Sequence, residues 1–263
     1  MIKKIVKNIL PYGIVRIIQS ELRKETHINR ALRALNGHTY VEIGVAKGHC
    51  FRQIAASSKI AIDPKPKDFG KELAPGESLF KMTSDAFFAE CAEKILTPGK
   101  VDVAFVDGLH EFRQALRDII NLEKFMSRRG IVFVHDCNPP TREHVEVRKG
   151  SWTGDVWKVA YYLTTYRRDL RFYTLNCDWG LGVITGFGSS PGSEFPPADI
   201  VNACEQLDYS LFEHRRKHIL RLRPFWYSPL FFGFVHGRGQ EDRTSGKKSA
   251  EQIAPADADE PRR

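Results

Sequence analysis

Two apolar runs of this chain end in aspartate. Val101 to Val106 (VDVAFV) runs into Asp107, and Gly130 to Val134 runs into His135-Asp136, with His110 three residues beyond Asp107 in the sequence Asp-Gly-Leu-His. If the runs are neighbouring strands of one sheet, their backbones lie about 5 Å apart and the two carboxylates converge above its edge. Two kinds of chemistry suit such a pair. It could hold a hard cation such as Mg²⁺ through oxygen ligands, which would lower the pKa of an acceptor hydroxyl. Alternatively one carboxylate orients His110 as a general base at neutral pH. Asp107, His110 and Asp136 are thus the candidate catalytic residues, and Asp107 and Asp136 the candidate metal ligands. His135, inside the strand end, reads as structural.

The elements that position these groups are legible upstream. In Thr39 to Pro64 (TYVEIGVAKGHCFRQIAASSKIAIDP) a short apolar run, Tyr40 to Ile43, closes at Gly44. The chain then passes Gly48 into Phe51, Ile54 and Ala55 at helical spacing, and a second run, Ile60 to Ile62, ends in Asp63. This predicts strand, glycine turn, crossover helix and parallel strand. In a doubly wound sheet ligands sit outside the carboxyl ends of the strands, where a carboxylate about twenty residues after the first glycine can accept ribose hydroxyls. The stretch predicts a pocket for an adenosine-type cofactor. A dinucleotide would require G-x-G-x-x-G, whereas Val45 and Ala46 follow Gly44, so a nicotinamide oxidoreductase is disfavoured.

What stands instead, E-x-G-x-x-x-G over Glu42, Gly44 and Gly48, resembles the first motif of class I S-adenosylmethionine-dependent methyltransferases. D-G-L-H after the fourth strand and H-D-x-N after the fifth look like sites in a subfamily of small-molecule and sugar O-methyltransferases, some metal-dependent. The resemblance covers roughly residues 38–186. It implies that Glu42, Gly44, Ala46 and Gly48 line S-adenosylmethionine, that Asp63 binds its ribose, that Asp85 neighbours its adenine and that Asp107 borders it as well. Catechol-type relatives place Asn directly after the second Asp. Here Cys137 intervenes before Asn138, which departs from that ligand set.

The remaining pattern predicts an α/β, Rossmann-like, seven-stranded, mostly parallel sheet with helices on both faces and a terminal antiparallel hairpin. Ser78 to Met82 reads as the third strand, and Ser84 or Asp85 as the N-cap of the helix after it. Phe112 to Phe125 reads as a helix, and Asp155 as the cap of VWKVAYYLTTY. Leu170 to Leu175 and Gly182 to Thr185 form the hairpin, and Ile200 to Leu222 a helix. The expected organisation is a basic amphipathic segment (1–30), the methyltransferase domain (31–190), a helical and basic/aromatic extension (191–236) and a disordered tail (237–263).

The net charge of +8 is concentrated at the ends. Residues 1–30 hold seven Lys/Arg against two Glu, and 215–223 (RRKHILRLR) five without an acid. The body between them is nearly neutral, which argues against a nucleic-acid substrate. The expected acceptor is a small molecule or glycan. The basic ends are expected to touch an anionic membrane, the enzyme body or a second subunit of a homodimer. Five scattered cysteines without a C-x-x-C pair predict reduced thiols in a cytoplasmic protein. A non-catalytic cofactor-binding or membrane scaffold of the same fold is the competing expectation.

Overall fold

The computed structural model of the chain describes residues 22–67, 73–189 and 194–227. Most of the basic N-terminal segment and the whole 237–263 tail lie outside them. Seven strands form one sheet in the order β3-β2-β1-β4-β5-β7-β6, from β1 (Thr39–Ile43), β2 (Ser58–Ile62), β3 (Glu77–Phe80), β4 (Val101–Val106), β5 (Met126–Val134), β6 (Arg171–Leu175) and β7 (Leu181–Thr185). β1 to β5 pair in parallel, and β7 runs antiparallel to both β5 and β6. This is the expected architecture, terminal hairpin included.

Both faces of the sheet are covered, which is why its central strands read as nearly continuous apolar runs. On one face α1 (Lys24–Leu35) packs Ile28, Ala31 and Leu32 against Val103, Phe105 and Phe133. On the other, α4 (Phe112–Glu123) and α6 (Trp157–Tyr166) cover Val41, Ala104 and Val132, with α2 (Ser84–Glu90), α3 (Ala92–Ile95), α7 (Ala198–Glu205) and α8 (Tyr209–Leu220) around them. Phe105 and Phe133 are fully buried, a gain of about 1.5–3 kcal/mol for each such side chain. A short α5 (Arg142–Glu146) stands in the polar loop after β5.

Several local expectations are corrected. The crossover between β1 and β2 holds only a 3-10 turn, Phe51–Gln53. Its face is already covered by α1, whose Asn29 accepts from the Ala55 amide and donates to the Gln53 carbonyl, pinning the crossover in extended form. The N-cap of α2 is Thr83, whose hydroxyl accepts from the Ala86 amide, not Ser84 or Asp85. Asp155 caps α4 rather than α6, accepting from the Phe112 amide at 2.6 Å. The helix read over 200–222 is broken into α7 and α8, where Asp208 caps the second.

Register sets up the site. Ile43 is level with Ile62 and Val106, Val106 with Val134, and Ile62 with Phe80. The residues that follow, Gly44, Asp63, Asp107 and His135, therefore stand in one row along the rim, each amide bonded to the carbonyl ending a neighbouring strand.

Candidate active site

Six ionisable groups meet on this rim. His110 Nδ1 lies 2.6 Å from Asp136 Oδ2, and its Nε2 lies 3.7 Å from Asp107 Oδ1. His135 Nδ1 sits 3.0 Å from Asp107 Oδ1 and 3.2 Å from Asp136 Oδ1, with its Nε2 3.7 Å from Asp178. Lys24, reaching over from α1, is 3.6 Å from Asp107 and 3.7 Å from Asp178. Burial opposes the charge on each histidine, yet the carboxylates prevail: Asp136 raises the pKa of His110, and Asp107 that of His135. Burial would also neutralise Asp107, Asp136 and Asp178, yet the histidine and lysine cations hold all three below the usual carboxylate range. Three carboxylates thus share one lysine and two histidines.

The backbone around it is strained. Seven described non-glycine residues have positive φ; Asn36 and Arg221 are helix C-caps, and the other five, Ala46, His110, Asp136, Asp178 and Trp179, all belong to this region. Such conformations cost about 1–3 kcal/mol each and persist where surrounding structure over-determines them. Glycines supply that structure. A Cβ on Gly154 would lie 1.7 Å from the His110 carbonyl oxygen, and one on Gly180 2.4 Å from the Asn138 amide nitrogen.

Two cavities flank Gly44. One, of about 490 Å³, is lined by Glu42, Gly44, Ala46, Asp107, His110 and Asp136, together with Lys24, His135, Trp152 and Trp179. Trp152 stacks on the His110 ring at 5.6 Å and 17°, and Trp179 is 39 % exposed. Glu42 is buried, accepts from the Tyr40 hydroxyl at 2.6 Å and is pushed up by burial to about 8. The other cavity, of about 280 Å³, is lined by Gly44, Asp63, Ser84, Asp85, Gln114 and Asp118. The Asp63 carboxylate is oriented by the Ala46 and Lys65 amides at 2.8 and 2.7 Å. Asp85 accepts from Gln114 and Arg117.

Every predicted site residue except Gly48 thus lines one of the two cavities. Gly48 shapes the turn instead, its amide bonded to the Val45 carbonyl at φ +71°. Lys24, Asp178, Trp152 and Trp179 join the predicted residues here, and His135, read as structural, lies in the wall of the larger cavity between Asp107 and Asp136. For His135 a signal was present: it directly precedes Asp136, at the position level with Asp107. Lys24 and Asp178 carried none, because their partners are remote in sequence.

An adenosine-type cofactor fits this arrangement. Asp63 and Asp85 line the smaller cavity, and the glycine turn separates it from the larger one. Mg²⁺ does not fit. Asp107, His110 and Asp136 do bring one nitrogen and two carboxylate oxygens within 4.8 Å of one another. However, all four oxygens of the two aspartates already face a histidine or lysine cation. Asn138, the oxygen donor that would complete an all-oxygen set, gives its Oδ1 to Arg216 at 2.7 Å.

Residues 41–137 match the family model described as a methyltransferase domain. No curated protein matches the chain. Among solved structures it is similar to a Corynebacterium glutamicum protein, 14% identical, covering 74% of this chain and 98% of that one at a TM-score of 0.45. It is also similar to a candidate caffeoyl-CoA O-methyltransferase from Staphylococcus aureus (13% identity, 69% and 95% covered, TM-score 0.44) and to a spermidine synthase from Thermotoga maritima (11%, 71% and 71%, 0.42). The family match spans the strands whose ends carry Gly44, Asp63, Asp107 and Asp136, so the part of the chain similar to a methyltransferase domain is the part that builds the rim.

Proposed function

We propose that the protein methylates a hydroxyl of a small molecule or glycan bound in the larger cavity, with His110 as the base. The observation carrying this reading is the 2.6 Å contact between His110 Nδ1 and Asp136 Oδ2 in that cavity's wall. S-adenosylmethionine, when bound, supplies a methyl group already activated on a sulfonium. The chain's own residues align the acceptor and take its proton.

Asp136 Oδ2, 2.6 Å from Nδ1, favours the proton of neutral His110 on that nitrogen, which leaves Nε2 as the acceptor atom. Trp152 holds the ring plane by stacking. Trp179 presents an exposed aromatic face at the mouth, suited to the face of a sugar or another ring. Asp63, with its carboxylate pre-oriented by two amides, would hold the ribose, and Asp85 stands beside the space for adenine. Glu42, protonated at neutral pH, adds no negative charge against the acceptor.

Calorimetry with S-adenosylhomocysteine, followed by methyl transfer to pools of hydroxylated small molecules and glycans, tests this. His110→Gln should lose transfer by about 10²–10⁴-fold, the range of a positioned base, at unchanged affinity for S-adenosylhomocysteine. Equal rates for wild type and variant would remove the base role. A protein without transfer to any acceptor pool would be the scaffold instead.

A further inference from the structure

We propose that the groove between α6 and α8 is a docking surface for a membrane rich in anionic lipid, and that it turns the rim bearing the active site toward the bilayer. The groove, about 490 Å³, is lined by Arg215, Lys217, Arg221 and Arg223 with Thr164 and Thr165 opposite, and no carboxylate lines it. The four basic side chains are exposed. Among the described residues Arg215, Lys217 and Arg221 have no ion-pair partner. The neighbouring Arg216 shows what a satisfied arginine looks like on the same helix: it donates to Asn138, to the Pro139 carbonyl and to the Tyr209 hydroxyl. An adjoining hollow of about 620 Å³ on α8 shares Arg215, Lys217 and His218 and contains one acid, Glu213.

The position of the groove ties it to the rim. Arg223 bridges Leu175 at the carboxyl end of β6, with its amide on the Thr174 carbonyl and its carbonyl on the Asn176 amide, both at 2.8 Å. Leu175 is level with Leu181, and Val134 is level with Gly182. The basic groove therefore ends on the sheet edge that carries Asp136.

Charge alone would suit any polyanion. Lipid is favoured by what adjoins the charge. Trp226, three residues beyond Arg223, is 61 % exposed, the largest exposure among the described large apolar side chains. The sequence that follows, Ser228 to Val235 (SPLFFGFV), is apolar and uncharged. Tryptophan beside basic residues is a pairing enriched at the membrane interface, and each Lys/Arg close to an anionic leaflet adds to the attraction. No helix among the described residues is long and apolar enough to cross a membrane.

Co-sedimentation of the full chain with phosphatidylcholine vesicles, with and without phosphatidylglycerol, tests the proposal. Binding should require phosphatidylglycerol and weaken with salt. Each neutralised residue should lower partitioning about fivefold, so that Arg215→Ala, Lys217→Ala and Arg221→Ala together lower it about 100-fold. Lys94→Ala with Lys100→Ala, outside the groove, should leave it unchanged, and S-adenosylhomocysteine affinity should be the same in all proteins. Four outcomes would overturn it: no binding to phosphatidylglycerol vesicles, equal binding to neutral ones, undiminished binding by the triple variant, or competition of a single-stranded oligonucleotide for the groove in preference to vesicles.

Discussion

His135 Nδ1 lies between two carboxylates, 3.0 Å from Asp107 and 3.2 Å from Asp136, so a single imidazolium ties together the aspartates that end consecutive strands. It leaves the outer oxygen of Asp136 to His110, and the behaviour of His110 follows from that division.

Asp136 raises the His110 pKa against the opposing effect of burial. The proposed base must be neutral to work, so turnover should rise with pH through a value above the ordinary imidazole range of about 6.5. Asp136→Asn removes the partner that stabilises the cation. The maximal rate should fall and the acid limb should move to lower pH; a kcat profile across pH checks both.

Glu42, with its folded pKa raised to about 8, is protonated in the fold at neutral pH, whereas in the unfolded chain it ionises near about 4.3. Its contribution to stability is thus complete below the unfolded value and is lost as pH rises toward the folded one. Melting temperatures of wild type and Glu42→Gln should converge at the acid end of that window. They should diverge toward its alkaline end, with the variant the more stable.

Lys24 is the cation that Asp107 and Asp178 share. Lys24→Met leaves both carboxylates short of a partner in a region only partly open to water. A loss of about 2 kcal/mol is expected, between the values for exposed and buried pairs, and Asp178→Asn should cost less. Chemical denaturation measures both.

Gly154→Ala places a methyl group against the His110 carbonyl, at a backbone angle of φ +61°. Stability should drop by about 1–3 kcal/mol, as for other overpacked positions, and kcat should fall because the His110 backbone must move. Gly150→Ala, where nothing lies within 4 Å of an added Cβ, controls for the loop; its own φ of +63° allows a modest loss of stability at unchanged kcat.

Chelation should leave the rate unchanged, because the oxygens a divalent ion would need are held by His110, His135, Lys24 and Arg216. Initial rates with EDTA and with added Mg²⁺ check this.

The sheet was legible because its strands are apolar runs ended by glycine or aspartate, and the rim residues because those ends fall level. The missing crossover helix was not, since Phe51, Ile54 and Ala55 have helical spacing and only the docking of α1 through Asn29 shows that no helix is needed there. Asp155 read as a local cap because the nearest helix start in sequence is its own, whereas the amide it serves, that of Phe112, is 43 residues away. The same separation hid Lys24 and Asp178. Long-range ion pairs leave no periodicity to read.

Because β7 enters the sheet reversed, the turn from Asn176 to Gly180 arrives on the same edge as the parallel strand ends. Its residues Asp178 and Trp179 reach the chemistry without belonging to the ladder that aligns Gly44, Asp63 and Asp107. Insertions or exchanges in that turn can remodel the entrance of the larger cavity while the row from Gly44 to Asp107 keeps its alignment, which makes the hairpin the natural place for sequence drift, or for an engineer, to change what that cavity accepts.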